Sequence, residues 1–172
     1  PFTVLLNCMF PTAASAKELA NRLTEKYGVP VLAVNCLELT EEQIKQILTR
    51  VLFEFPAREI KVDFPAWLLS LPTDHPLRTE VFAAVREKAK CLANMRSVQS
   101  FAESLSEIDA VNAASVDAME LGKGEANITV RVPDTLFYSV LSEYTGLTVQ
   151  NDRDLIDSLR EMAQIRKKYL HL

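Results

Sequence analysis

Hydrophobic positions along this chain repeat with two different periods, and the switches between them mark out the elements. The chain opens on an apolar run, Phe2-Thr3-Val4-Leu5-Leu6, that ends at the polar Asn7. A parallel strand buried on both faces reads this way, and it delivers a side chain to a site at its carboxyl end. Ala16, Leu19, Ala20 and Leu23 then recur at helical spacing, with Gly28 as the stop signal and Pro30 just beyond. A second buried strand, Val31-Leu32-Ala33-Val34, ends in Asn35-Cys36. Thr40-Glu41-Glu42-Gln43 has the capping-box pattern. Ile44, Ile47, Leu48, Val51 and Leu52 give the helix after it one apolar face, and Pro56 ends that helix. Residues 1–57 therefore predict a βαβα unit, two parallel strands joined by a right-handed crossover. Two such strands do not make a stable sheet by themselves. Together with a first residue that is Pro rather than Met, this predicts the C-terminal part of a larger α/β nucleotide-binding domain.

From about residue 58 the pattern changes. Ile60-Lys61-Val62-Asp63-Phe64 alternates apolar with charged, as a half-exposed strand does. Thr73-Asp74-His75-Pro76 opens a long helix with the stripe Leu77, Val81, Val85, Ala89 and Leu92. A shorter helix carries Val98, Phe101, Ala102 and Leu105. Ala126 to Val132 alternates strictly, and Gly122-Lys123-Gly124 joins it to an upstream strand containing Val116 and Ala118, which predicts a hairpin. Pro133-Asp134 starts a helix with Phe137, Val140, Leu141 and Tyr144 that stops at Gly146. Leu147-Thr148-Val149 reads as a short strand. A last helix, capped by Asn151 or Asp152, carries Leu155, Ile156, Leu159, Met162 and Ala163 and runs on without a stop signal. Residues 58–172 thus predict an α+β domain built on a small antiparallel sheet packed with helices. That domain, with its own strands and aromatics, is expected to fold independently. The βαβα unit is expected to be the weaker half, with strand edges at residues 2–6 and 31–34 prone to association.

Composition narrows the function classes. Hydrophobic residues make up 48% of the 172, which is enough for a packed core. The net charge of −4 argues against nucleic acid, whose backbone calls for a basic face. The short basic run Arg166-Lys167-Lys168 reads as a solvated helix end. No apolar run reaches the ~18 residues of a spanning helix. Cys8, Cys36 and Cys91, odd in number and far apart, read as reduced thiols rather than a disulfide framework or zinc site, and Cys8 and Cys36 at the strand ends read as two small buried hydrophobes. His75 and His171 are the only histidines, and no ligand cluster surrounds them in sequence.

Candidate chemistry gathers at the two strand ends. In Ras-like GTPases the corresponding strand ends in Asn-Lys-x-Asp, whose Asp reads guanine. Here the four residues are Asn7-Cys8-Met9-Phe10, with Cys for Lys and Phe for Asp. The second loop, Ser-Ala-Lys in those proteins, is Asn35-Cys36-Leu37 here. Asn7, Cys8, Phe10, Asn35 and Cys36 are the candidate base-contacting residues, although Asn7 also fits a purely structural tie between loops. No Gly-x-x-x-x-Gly-Lys-Ser/Thr phosphate loop is present, and Gly122-Lys123-Gly124 lacks that spacing. No Ser/His/Asp or Cys/His catalytic pattern is visible, so no catalytic or metal-binding residue is assigned.

Several stretches together resemble the stage IV sporulation protein A family, the spore-coat morphogenetic ATPases. They are Pro1 to Asn7, Glu25 to Val31 with Asn35-Cys36-Leu37, Ile47-Leu48 and Phe53 to Pro56. Phe64 to Trp67, Asp74-His75, Leu121 to Gly124 and Pro133 to Tyr138 complete the set. The resemblance implies the end of a GTPase-like ATPase domain followed by a middle domain. It implies ATP and Mg²⁺ as cofactors of the intact protein, with catalytic residues upstream of Pro1 and no hydrolysis by this piece alone. It further implies ATP-driven polymerisation into the basement layer of the spore coat. The implied partners are further copies, other coat proteins and a small amphipathic sporulation peptide that recruits the protein to the forespore membrane surface. The implied location is the mother-cell cytoplasm. The rival reading is a GTPase-like regulatory switch with an appended interaction domain.

Overall fold

Two separate sheets organise the chain in the computed structural model, which describes residues 2–170. The first contains β1 (Val4–Asn7) and β2 (Val31–Val34), parallel and in register from Val4 opposite Val31 to Asn7 opposite Val34. Helix α1 (Ala14–Tyr27) connects them and ends at Gly28, whose φ of 65° lets its N–H reach Thr24 O at 2.8 Å. Thr24 Oγ1 then accepts from Val31 N–H at 3.1 Å, so one residue closes the helix with its carbonyl and starts the strand with its hydroxyl. Ala20, Val31 and Val34 are the buried residues of this unit.

Helix α2 (Glu41–Phe53) carries the predicted capping box. Gln43 N–H donates to Thr40 Oγ1 at 3.2 Å, and Thr40 N–H donates to Gln43 Oε1 at 3.0 Å. Its apolar face is covered only in part. Ile47, Val51 and Leu52 are half-buried, while Ile44 is 45% and Leu48 58% exposed. A sheet of two strands offers too little surface for two helices, and α1 already lies against β2.

The second sheet has the order β3 (Glu59–Asp63), β5 (Glu125–Arg131), β4 (Ala113–Glu120). The β4–β5 pair is the predicted antiparallel hairpin, with a register shift between Val116 and Ala118. The expectation of a wholly antiparallel sheet is corrected, because β3 runs parallel to β5 with Glu59 opposite Glu125. Alternation reports which face a residue occupies but not which way the strand runs. Here β3 is separated from the hairpin by three helices, α3 (Ala66–Ser70), α4 (Pro76–Ala89) and α5 (Ser97–Leu105), a connection long enough for a parallel return.

The core lies between this sheet and its helices. Val98, Phe101, Ala102 and Leu105, the predicted stripe of α5, are all buried. They join Leu68, Val81, Met95, Ile128 and Val130 in one cluster, with Leu77, Val85, Ala89 and Leu92 packed against it. Each such side chain contributes about 1.5–3 kcal/mol relative to exposure. The end of α2 is tied to the same body. Phe53 and Ala57 pack on the cluster, Phe55 O accepts from Met95 N–H, and Phe53 O accepts from Arg96 N–H, both at 2.9 Å. Arg96 Nη2 lies 3.0 Å from each carboxylate oxygen of Glu54.

Helix α6 (Asp134–Thr145) ends at Gly146, as its sequence predicts. The expected strand at Leu147–Val149 does not form. The Ser142 hydroxyl donates to Val149 O and accepts from Val149 N–H, each at 3.1 Å, so this buried residue needs no strand partner. Helix α7 (Asp152–Leu170) is capped by Asn151, whose Oδ1 accepts from Asp154 N–H at 3.0 Å. Its first residue, Asp152, accepts a hydrogen bond from the Tyr138 hydroxyl of α6.

Two outcomes follow from these contacts. Gly124 has φ 76°, and a Cβ there would meet Pro56 O at 2.6 Å. Gly124→Ala is expected to lower stability by about 2 kcal/mol or more in urea unfolding. The hydrogen bond to Asp152 pushes the Tyr138 phenol up to about 12. Ultraviolet titration should show one tyrosine ionising near that value, and Asp152→Asn should return it toward the ordinary ~10. The bond favours the protonated phenol, so its contribution to stability is complete below that ordinary value and lost as pH rises through about 12.

Candidate functional site

The five base-contacting candidates lie on two neighbouring loops at the carboxyl ends of β1 and β2. Strand pairing continues one step past β1, where Cys8 N–H donates to Val34 O at 2.9 Å. Beyond that, Asn7 ties the loops together, its Oδ1 accepting from Cys36 N–H at 3.1 Å. Asn35 spends its side chain on its own loop. Its Oδ1 accepts from Leu37 N–H and its Nδ2 donates to Glu38 Oε2, both at 3.1 Å. Such Asx turns satisfy loop backbone locally. Both asparagine oxygens are therefore committed to main-chain donors.

The surface these loops present is apolar. Phe10 is 69% exposed, Met9 75% and Leu37 94%. The reading of the cysteines as small buried hydrophobes is corrected, since Cys36 is exposed and Cys8 half-buried. The expected burial of the first strand is corrected with them, since in β1 Val4 and Leu5 are exposed and only Leu6 is half-buried, so the residue just past its end has no cover either. Met9 and Leu37 were not singled out from sequence. Their signal is an apolar side chain in the loop that follows a strand, where turn-forming polar residues are the rule.

Other sequence candidates have structural roles. Gly122-Lys123-Gly124 is the hairpin turn, and Lys123 Nζ sits 2.5 Å from Glu120 Oε2, whose hydrogen bond and charge raise the lysine pKa. His75 immediately precedes α4, its imidazole stacked on Tyr144 with centroids 6.1 Å apart and Nε2 3.8 Å from Glu143 Oε2. His171 lies outside the described residues. Among the described residues, no group of three His, Cys, Asp or Glu side chains is placed to hold a metal ion. Away from these loops, a cleft of about 490 Å³ opens at the carboxyl ends of the parallel strands β3 and β5. Asp63, Phe64, Asn112, Thr129, Arg131 and Asp134 line it. It escapes a sequence reading because its walls come from segments about 65 residues apart whose pairing the pattern did not give.

Two family matches divide the chain between them. The family described as "Stage IV sporulation protein A, middle domain" matches residues 57–172, and "Stage IV sporulation protein A, ATPase domain" matches residues 1–56. The chain belongs to the stage IV sporulation protein A family. It is 30% identical over 169 residues to Stage IV sporulation protein A of Clostridioides difficile (strain 630), and 29% identical over the same length to that of Bacillus subtilis (strain 168). The Bacillus anthracis protein of the same name is 28% identical. Each match covers 98% of this chain and 34% of the relative, so the chain spans about a third of the length of these curated relatives. No solved structure matches. This member of the stage IV sporulation protein A family is accordingly a sporulation protein, and its strand-end loops fall in the part that matches the ATPase domain.

The tie between the loops is directly testable. Asn7→Ala removes the acceptor for Cys36 N–H. Amide exchange at Cys36 should accelerate while Ile128 and Val130 stay protected, with a stability loss of about 1 kcal/mol or less. Unchanged exchange at Cys36 would show that the bond does not hold the loop.

Proposed function

We propose that this chain is an assembly piece of a spore-coat scaffold that polymerises at the expense of ATP in the intact protein. In this reading the βαβα unit is the end of a Ras-like P-loop domain, and its strand-end loops wall the base side of the nucleotide pocket. The observation that carries the reading is the apolar rim of Met9, Phe10 and Leu37 around the Asn7–Cys36 tie, at the carboxyl ends of two parallel strands. Ligands of open α/β sheets bind at such strand ends. An adenine ring fits that rim by stacking on Phe10 and packing against Leu37 or Cys8. A guanine ring finds no carboxylate for its N1 and N2 donors, because Phe10 occupies the position that supplies one in Ras-like GTPases. The same lack of a guanine reader weighs against the regulatory GTPase switch.

The residues present fit the base but not the phosphates. No phosphate loop is in the sequence, so ATP and Mg²⁺ would take their phosphate and metal contacts from elsewhere in the intact protein. The middle domain then serves assembly. Its proposed partners are further copies of the protein, other coat proteins and a small amphipathic sporulation peptide at the forespore surface, all in the mother-cell cytoplasm.

The test is nucleotide competition and phosphate release. This chain alone should release no phosphate from ATP or GTP above a buffer blank. The intact protein should show no preference for GTP, and the double variant C8K/F10D should move its preference toward GTP by about tenfold, the scale of one recovered charged hydrogen bond. Unchanged competition in that variant would remove the strand ends from the base pocket. Hydrolysis by this chain alone would overturn the assignment of catalysis to other parts.

A further inference from the structure

The two asparagines at the strand ends are used differently, and the difference leaves one of them open to a ligand. Asn35 spends both ends of its amide within its own loop, Oδ1 on Leu37 N–H and Nδ2 on Glu38 Oε2. Asn7 spends one end. Its Oδ1 accepts from Cys36 N–H at 3.1 Å, and among the described residues its Nδ2 donates to nothing. The residue is exposed at the carboxyl end of β1. A main-chain N–H bonds only to an acceptor, so the Cys36 contact fixes which way round the amide stands. An amide oxygen accepts two hydrogen bonds, and one place on Oδ1 remains.

The second loop narrows the choice. The N–H groups of Cys36, Leu37 and Glu38 are all taken, by Asn7 Oδ1, Asn35 Oδ1 and Asn35 O. These three residues offer a ligand apolar surface and no main-chain donor. A base packed on Phe10 and Leu37 has its edge left for polar contact, and the Asn7 amide meets an edge with one acceptor place beside an unpartnered donor. Adenine carries the complement, a 6-amino donor next to the acceptor at ring position 7. An asparagine amide pairs with that edge through two hydrogen bonds. Guanine and hypoxanthine have a carbonyl at position 6, which sets acceptor against acceptor at Oδ1.

We propose that Asn7 selects adenine, its Oδ1 accepting from the 6-amino group and its Nδ2 donating to the ring nitrogen at position 7. The proposal rests on the base-pocket reading above and deepens it by naming the atoms that choose the base. Asn7 is then a loop tie and a specificity residue at once, and the tie serves the selection. It orders the amide before a base arrives, so less ordering remains to be done on binding.

The experiment is nucleotide competition on the intact protein, with analogues of ATP altered at one edge atom. In 7-deaza-ATP the acceptor at position 7 is gone, while ITP keeps it and carries a carbonyl at position 6. Each should bind about tenfold more weakly than ATP, the scale of one lost hydrogen bond. Asn7→Asp keeps an oxygen for Cys36 N–H but has no N–H to give. That variant should bind ATP and 7-deaza-ATP equally, while amide exchange at Cys36 stays as slow as in the parent. Equal binding of ATP and either analogue by the parent would overturn the proposal, and so would an Asn7→Asp variant that still prefers ATP to 7-deaza-ATP. The two analogue comparisons need no variant, so they decide the matter even where Asn7→Asp loosens the loop. If C8K/F10D moves preference toward GTP while the parent does not distinguish 7-deaza-ATP from ATP, the base-pocket reading stands and the Asn7 assignment fails. If that double variant leaves competition unchanged, the base-pocket reading itself fails.

Discussion

The carbonyl of Gly124 fixes the register on which the larger sheet depends. It accepts from Arg58 N–H at 2.8 Å and from Glu59 N–H at 3.2 Å, and so clips the start of β3 to the turn of the hairpin. From that point Ile60, Val62, Ala126, Ile128 and Val130 fall on the core side of their strands. A slip of one residue would turn β3 over and offer Lys61 to the helices in place of Ile60 and Val62. Only a residue without a side chain tolerates both the left-handed backbone and the approach of Pro56 O at that position. A turn that looks like ordinary hairpin punctuation is therefore also the junction where the two units of the chain meet.

The two units obtain order in different ways. The second has a continuous core in which α5 and β5 are buried along their inward faces. The first has three buried hydrophobic residues and leans on polar side chains to fix its backbone. Thr24 joins a helix end to a strand start, Asn7 joins two loops, and Thr40 with Gln43 closes a helix start. Hydrogen bonds of this kind are directional but contribute only about 1 kcal/mol each. They shape the strand-end loops without hiding the apolar rim those loops carry.

Elements with a strong local signal were legible in the sequence. The capping box at Thr40, the left-handed stops at Gly28 and Gly146, the stripe of α5 and the β4–β5 hairpin are each written within a dozen or so residues. What was not legible depends on partners distant in sequence. The direction of β3 is decided by its pairing with β5, some 65 residues away. The apparent strand at Leu147–Val149 is dissolved by the Ser142 hydroxyl. At the candidate site the identities of Asn7 and Asn35 were visible, but not that both spend their oxygens on loop backbone. The stripes of α2 and α7 were visible as patterns, and periodicity cannot report whether a stripe finds a cover within its own chain.

The anchorage of α2 has a mechanical consequence. The helix is held at its C-terminal end by two main-chain bonds, the Glu54–Arg96 pair and the Phe53 ring. Its other end carries the Asn35–Leu39 loop. A rod of about 20 Å pivoting by about 10° at one end displaces the other by about 3.5 Å. The placement of Leu37 and Cys36 then answers to a hinge on the opposite side of the helix as well as to the bonds that Asn7 and Asn35 make within the loops. Softening at Phe53–Phe55 would blur the rim geometrically, without touching a residue that belongs to it.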